Sequence, residues 1–419
     1  MKTTLKETAM YQTRFRSVWS LLILWTLAGT PAFAQTLESL AVLPADTFAV
    51  GPTSGQFIMP ANGRTPPFVD RQPVQGVSSV LRESNGDFMV MSDNGFGAKG
   101  NSADYVLRVY KVAPDFRTKN NGSGTVALRS FITLRDPDYK LSFPIVATSA
   151  NYPASAIPVA AEIRGNRLLT GGDLDIESFR RAHDGTLWFG DEFGPFLIHT
   201  DGTGKVLEDI FPLPGVRSPQ NPFLGGGMPN LPASRGFEGM AITPNGKKLY
   251  PMLEGALTTD PDQRRLIISE FDLATKQYTS RQWWYRMDAP AHAIGDFTAV
   301  TDDRFLVIER DNNQGPAAQF KKVFLVDLDV VDPEGFLIKT EVANLLAIGD
   351  PHDLDGNGSD LFTFPFVTIE SVIPLSGTHI GVLNDNNYPG SSGRTPGQPD
   401  NNEFIILKLD RPLAQAGKK

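Results

Sequence analysis

The sequence contains no cysteine in 419 residues. Disulfides, cysteine-ligated zinc, iron–sulfur clusters and thiol nucleophiles are therefore excluded, and stability must come from the core alone. Histidine is scarce at five residues, and no His-x-x-x-His or similar pair occurs, which argues against histidine-rich zinc coordination. Positive charge is in deficit, with 39 Lys and Arg against 47 Asp and Glu and a net charge of -8. That balance argues against a general nucleic-acid or anionic-membrane binder, whose affinity rests on clustered cations. No segment after the N-terminus approaches the roughly 18 apolar residues of a membrane span, and long helical periodicity is hard to find. A Gly-x-Ser-x-Gly elbow and a Walker phosphate loop are both absent.

The N-terminus has a composition of its own. Arg14 and Arg16 precede the apolar stretch "VWSLLILWTLA", and "AFA" at Ala32 to Ala34 supplies small residues for cleavage. Residues 1–34 are expected to be an export signal, with Met10 as an alternative start. A lipoprotein signal would need a cysteine. The expected mature chain, 35–419, is read as one domain in the periplasm or outside the cell. It would carry 35 basic and 46 acidic side chains, a net charge near -11.

What the chain does have is glycine (39), proline (32) and many Asp-Gly and Asn-Gly pairs between short β-type runs. These are the marks of an all-β protein. Five stretches repeat one pattern: "GVSSVLRESNGDFMVMSDNGFG" (76–97), "DIESFRRAHDGTLWFGDEFG" (175–194), "GFEGMAITPNGKKLYPMLEGA" (236–256), "DFTAVTDDRFLVIERDNNQG" (296–315) and "TIESVIPLSGTHIGVLNDNN" (368–387). Each is a short strand, a polar turn and an apolar strand ending in acids. A third strand follows every time, and a fourth follows the first four. Segment 37–50, "LESLAVLPADTFAV", can supply the missing outer strand of the last unit and close a ring. The expectation is a β-propeller of four-stranded blades, five of them visible, with 98–174 able to hide a sixth. A β-sandwich of repeated hairpins is the competing architecture.

In such a blade the start of the first strand lies beside the end of the second, about 4.8 Å away. Aligning first strands gathers Ser78, Glu177, Glu238, Thr298 and Glu370 nearest the axis. Aligning second-strand ends gathers Asp93, Asp191 with Glu192, Glu254, Glu309 with Asp311, and Asp385 on the same face. Crowded carboxylates either take up protons or hold a cation. Ca²⁺ suits an irregular all-oxygen ring, with Mg²⁺ or Mn²⁺ as alternatives. Arg235, Arg264, Arg265, Arg310 and Arg394 are the candidates to hold an anionic substrate on that face. For any one of them, pairing with a neighbouring acid is the plainer explanation. His292 and His352 can also reach that face, whereas His183, His379, Arg180 and Arg181 are expected on the opposite one.

Two further features invite a test. "DLDGNGSD" (353–360) begins like a calcium loop at Asp353, Asp355 and Asn357, but Phe364 stands where a helix-loop-helix site has glutamate. Residues 216–234 form a long loop in which Phe223 and Leu224 are placed to cover the acidic face.

The repeats resemble a known family, the secreted phytase-like propeller domain described by an "esterase-like activity of phytase". The resemblance is carried by "GGDLDIESFRRAHDGTLWFGDEFGPFLIHTD", "SRGFEGMAITPNGKKLYPMLEGAL", "RRLIISEFDLATKQY", "DFTAVTDDRFLVIERDNNQG" and "FPFVTIESVIPLSGTHIGVLNDNNYP", over most of 70–410. It implies a propeller, hydrolysis of phosphate or other esters, and calcium. The leading expectation is an exported metal-dependent hydrolase of a small phosphoester. Glu177, Glu238, Glu370, Asp191 and Glu192 would be its catalytic and metal-binding acids. A lactonase or arylesterase and a non-catalytic binding propeller are the alternatives.

Overall fold

A computed structural model of the protein describes Met1 and residues 34–414. The expected export signal, Met1 and Ala34 apart, lies outside these residues. The described chain is a β-propeller. Blade I comprises Val77–Arg82, Phe88–Ser92, Arg108–Asp115 and Thr125–Thr133. Blade II comprises Ile176–Arg181, Leu187–Asp191, Phe196–Thr200 and the short outer strand Phe211–Pro212. Blade III runs Phe237–Ile242, Lys248–Leu253, Arg265–Asp272 and Gln277–Arg286. Blade IV runs Ala293–Ala299, Arg304–Arg310, Lys321–Val331 and Leu337–Asn344. Blade V takes Thr368–Ser376, His379–Asp385 and Asn402–Leu409 from the C-terminal end of the chain. Its outer strand is Gln35–Leu43, which pairs antiparallel with Asn402–Leu409 from Gln35 opposite Leu409 to Leu43 opposite Asn402.

The five first strands pack against one another in a closed circle, blade V returning to blade I. Blade number is therefore five. The interval 98–174 completes blade I and then forms a short 3₁₀ turn at Val146–Thr148 and a helical turn at Ala161–Asn166. Its "NRLLTG" segment makes only single bridges, Val106 to Thr170 and Arg135 to Leu168. No sixth blade is built there.

The strands read as continuous apolar runs because both faces of each blade are covered by neighbouring blades. Ile176, Phe179 and Phe189 share one inter-blade core with Met91 and Val109. Leu306, Ile308, Ile369 and Val372 share another with Leu37 and Leu40 of the closing strand. Burying each such side chain contributes about 1.5–3 kcal/mol before entropic costs. The apolar walls make the blades rigid and bring their polar strand ends to the axis.

Candidate metal centre

Each first strand contains a β-bulge at the same place. The register skips one residue in every blade: Ser78, Glu177, Glu238, Gly295 and Glu370 in turn. A bulge leaves one residue without a partner and re-aims its side chain. In blades II, III and V that residue is a glutamate. One carboxylate oxygen from each of Glu177, Glu238 and Glu370 lies within 4.8 Å of the other two, so three blades converge on one point.

Blade IV departs from the sequence alignment. Its bulge residue is Gly295, not Thr298, which lies three residues further along the strand. A Cβ at Gly295 would lie 1.9 Å from the Ile369 carbonyl oxygen of blade V, so no side chain fits there. The same register corrects the strand-end ring. Position by position, it consists of Asp93, Glu192, Glu254, Arg310 and Asp385. The two acids flanking Arg310 are turned away because strand side chains alternate. Glu309 accepts from the Tyr285 hydroxyl (2.7 Å), the Asp288 amide (2.7 Å) and Lys339 Nζ (2.8 Å), and it meets His292 Nδ1 at 2.8 Å. Asp311 accepts from the Gln319 and Phe320 amides and pairs with Lys321 at 3.0 Å. Neither joins the central group of acids.

Two more triads share members with the first. Asp175, Glu177 and Glu192 form one, and Glu192, Glu238 and Glu254 the other, each with oxygens within 4.8 Å. Asp175 was not among the expected site residues. It stands two before Glu177 in "GGDLDIES", on the same side of an extended chain, and that spacing was the available signal. Asn94 Nδ2 donates to it at 2.6 Å. Asp191 braces the loop instead, accepting from the Asp175 amide (2.8 Å) and the Gly194 amide (2.7 Å). Asp93 accepts from the Gly95 amide at 2.8 Å, and Asp385 accepts from the Thr368 hydroxyl at 3.0 Å.

All these acids are buried. One oxygen each of Glu177, Glu192 and Glu238 is enclosed and meets no hydrogen-bond donor. Burial and mutual repulsion push their proton affinities upward. Burial, then the Asp175 and Glu238 charges, holds Glu177 well above the ordinary carboxylate range. Glu238 and Glu192 rise for the same reasons. Burial, then Asp385, brings Glu370 up to about 8, and burial brings Asp191 to about 7 and Asp175 to about 6.

Of the five expected arginines, two approach the group. Arg310 Nη2 lies 3.0 Å from Glu370 and 3.7 Å from Glu254, and Arg235 pairs with Glu254 from the rim. The other three expected anion-binding arginines are engaged elsewhere. Arg264 pairs with Asp262 at 2.9 Å, and Arg265 pairs with Asp260 at 3.2 Å and stacks on Trp284. Arg394 Nε donates to Glu403 at 2.8 Å, with its guanidinium against Phe362 and Phe366.

The next layer along the axis closes the cup. Arg180, expected on the opposite face, runs inward: its guanidinium donates to Ser79 Oγ (2.7 Å) and Asp296 Oδ1 (2.9 Å). This buried pair joins blades I, II and IV and fills the axis behind the carboxylates. Beside the cup, between blades I and V, a cavity of about 200 Å³ is lined by Ile58, Met59, Asp93, Phe96 and Tyr388. The loop 216–234 is tied down by Asn221 Nδ2 on the Gly194 carbonyl (2.9 Å), and Phe223 packs edge-on against Phe143 and Phe196.

Fold and site together define a five-bladed propeller with a cup of buried carboxylates on its axis. The chain matches the family described as "Phytase-like: Esterase-like activity of phytase" over residues 72–388, and it belongs to that family. It is also 26% identical over 196 residues to an "Uncharacterized secreted protein" of Arthroderma benhamiae, a match spanning 38% of each chain. Among solved structures it is similar to a luciferin-regenerating enzyme at 12% identity and a TM-score of 0.36, covering 82% of this chain and 83% of that one. A glycoside hydrolase family 43 β-1,3-galactosidase is similar at 10% identity and a TM-score of 0.41, covering 90% and 60%.

Proposed function

We propose that the protein is an exported, metal-dependent ester hydrolase whose cation is held in the axial cup. The observation that carries this reading is the set of enclosed carboxylate oxygens without hydrogen-bond donors on Glu177, Glu192 and Glu238. Buried anions of this kind need either protons or a cation. The donors are all oxygen and the geometry is irregular, which suits Ca²⁺ better than Mg²⁺. Glu177, Glu238 and Glu370 would hold the ion. Bound there, it would polarise an ester oxygen and lower the pKa of a water. Glu192 belongs to both outer triads but not to the three-blade one, and in this reading it would accept a proton from that water. Arg310 keeps Glu370 oriented and offers a cation to a developing oxyanion. Export is supported by the charged-apolar N-terminus and by the secreted relative. No helix among the described residues is long and apolar enough to cross a membrane.

A phosphoester is the first substrate reading, on family membership. A specific observation favours an uncharged ester as the second. Arg264, Arg265 and Arg394 are all paired outside the cup, and the adjoining cavity carries no basic side chain. The two readings separate in one assay: the full chain against phosphomonoesters, including phytate, and against aryl esters and lactones, with Ca²⁺ or with chelator. Calcium-dependent turnover that falls about 100-fold or more in Glu238→Gln would support the site. Full activity in that variant with the fold intact would remove it.

A further inference from the structure

We infer that the protein has a second cation site, remote from the cup, which takes Ca²⁺ and fastens the seam where the propeller ring closes. The site is built by Asp350, Asp353 and Asp355, whose carboxylate oxygens lie within 4.8 Å of one another. The cluster alone would mean little. The independent observation is Asp350: it is fully buried, and its Oδ1 is enclosed without any hydrogen-bond donor. Its other oxygen accepts from the Leu354 amide at 2.8 Å, which fixes the carboxylate against the loop. A buried, half-satisfied carboxylate beside two more is costly unless a cation neutralises it. The all-oxygen donor set fits Ca²⁺.

The ligand set differs from the one the motif suggests. Asn357 turns its amide nitrogen to Asp355 Oδ2 at 2.6 Å, and its oxygen accepts from the Ser359 amide at 2.7 Å. Asp350, three residues before the motif, takes its place.

What the loop touches indicates its role. It joins two short strands, Ile348–Gly349 and Leu361–Phe362, and Gly349 pairs in parallel with Thr36 of the closing strand. The Leu354 side chain packs in the same core as Leu37 and Leu40. The Leu354 carbonyl accepts from Arg117 Nη1 (3.1 Å), and the Arg117 amide in turn donates to the Leu40 carbonyl (2.9 Å). Ordering residues 350–355 therefore holds the closing strand against blades V and I. That strand joins the two ends of the chain, so its release removes the hydrogen-bonded link that completes blade V.

The test uses Ca²⁺ alone with the full chain and with the double variant Asp353→Asn/Asp355→Asn. Both residues lie in a surface loop outside the cup. Calorimetric titration should show one Ca²⁺ fewer in the variant, with ester hydrolysis at saturating Ca²⁺ unchanged. Hydrogen exchange of the Gln35–Leu43 amides should slow by about 100-fold at 100 times the dissociation constant in the parent chain, and not in the variant. Equal stoichiometry, or closing-strand protection that ignores the variant, would overturn the proposal. Glu238→Gln separates the two sites, because it should leave this binding event and its protection in place. Loss of both in Glu238→Gln would also count against an independent site.

Discussion

Arg310 Nη2 lies 3.0 Å from Glu370 Oε1 on the propeller axis, an ion pair between adjacent blades. Blade IV has glycine at the bulge where three other blades have glutamate, and it contributes this arginine from its strand end. Arg310→Ala should leave Glu370 as an uncompensated buried charge, because Glu254 keeps its pairing with Arg235. The expected loss is about 3–5 kcal/mol in chelator, and less with Ca²⁺ present. Chemical denaturation in both conditions checks this, and an unchanged midpoint in chelator would contradict it.

The raised carboxylates give stability a definite pH dependence. Asp175, Asp191 and Glu370 rise to about 6, 7 and 8 through burial and crowding. The folded chain therefore keeps protons that the unfolded chain has released. Without metal, the stabilisation these three acids contribute is fully present below about pH 4 and is lost as pH rises from about 4 to about 8. Ca²⁺ requires the ionised acids, so its stabilising effect should grow over the same window. Melting temperatures at pH 5 and pH 8, with chelator and with Ca²⁺, test both halves. A chelated protein more stable at pH 8 would refute the assignment.

The Arg180–Asp296 pair behind the cup can be dissected by a double-mutant cycle. Each side chain is almost wholly buried, and burial outweighs the arginine in raising Asp296. Arg180→Met or Asp296→Leu alone strands one charge and should cost about 3–5 kcal/mol. The double variant should recover much of that. If losses simply add, the pair is not coupled as the geometry requires.

Arg264 was a candidate for holding substrate, but its exposed guanidinium engages only Asp262. Arg264→Ala should leave both the melting temperature and the hydrolysis of any charged ester unchanged. A rise in KM confined to phosphoesters would return it to the site.

Much of the fold was legible because the repeat is local. Each hairpin, turn and apolar run specifies itself within about 20 residues, so five copies reveal a blade even without their partners. The interval 98–174 invited a sixth blade because apolar content alone does not distinguish a strand from a packed loop. Glu177, Glu238 and Glu370 were legible because their positions repeat. Thr298 was misplaced because matching Asp296 to Asp175 shifts blade IV by three residues, and the hydrogen-bond register that aligns Asp296 with Ser178 is silent in composition.

The sequence by itself determined the four-stranded unit, the closing role of Gln35–Leu43 and the face on which the acids end. Only the tertiary structure decided which of them meet. A one-residue change of register turns a strand side chain to the opposite side, so Arg310 faces the axis while Glu309 and Asp311 face away. The contacts among Glu177, Glu238 and Glu370, and the reach of Arg180 to Asp296, join residues more than 60 positions apart. No local pattern carries that information, because these distances are fixed by how rigid blades pack around an axis.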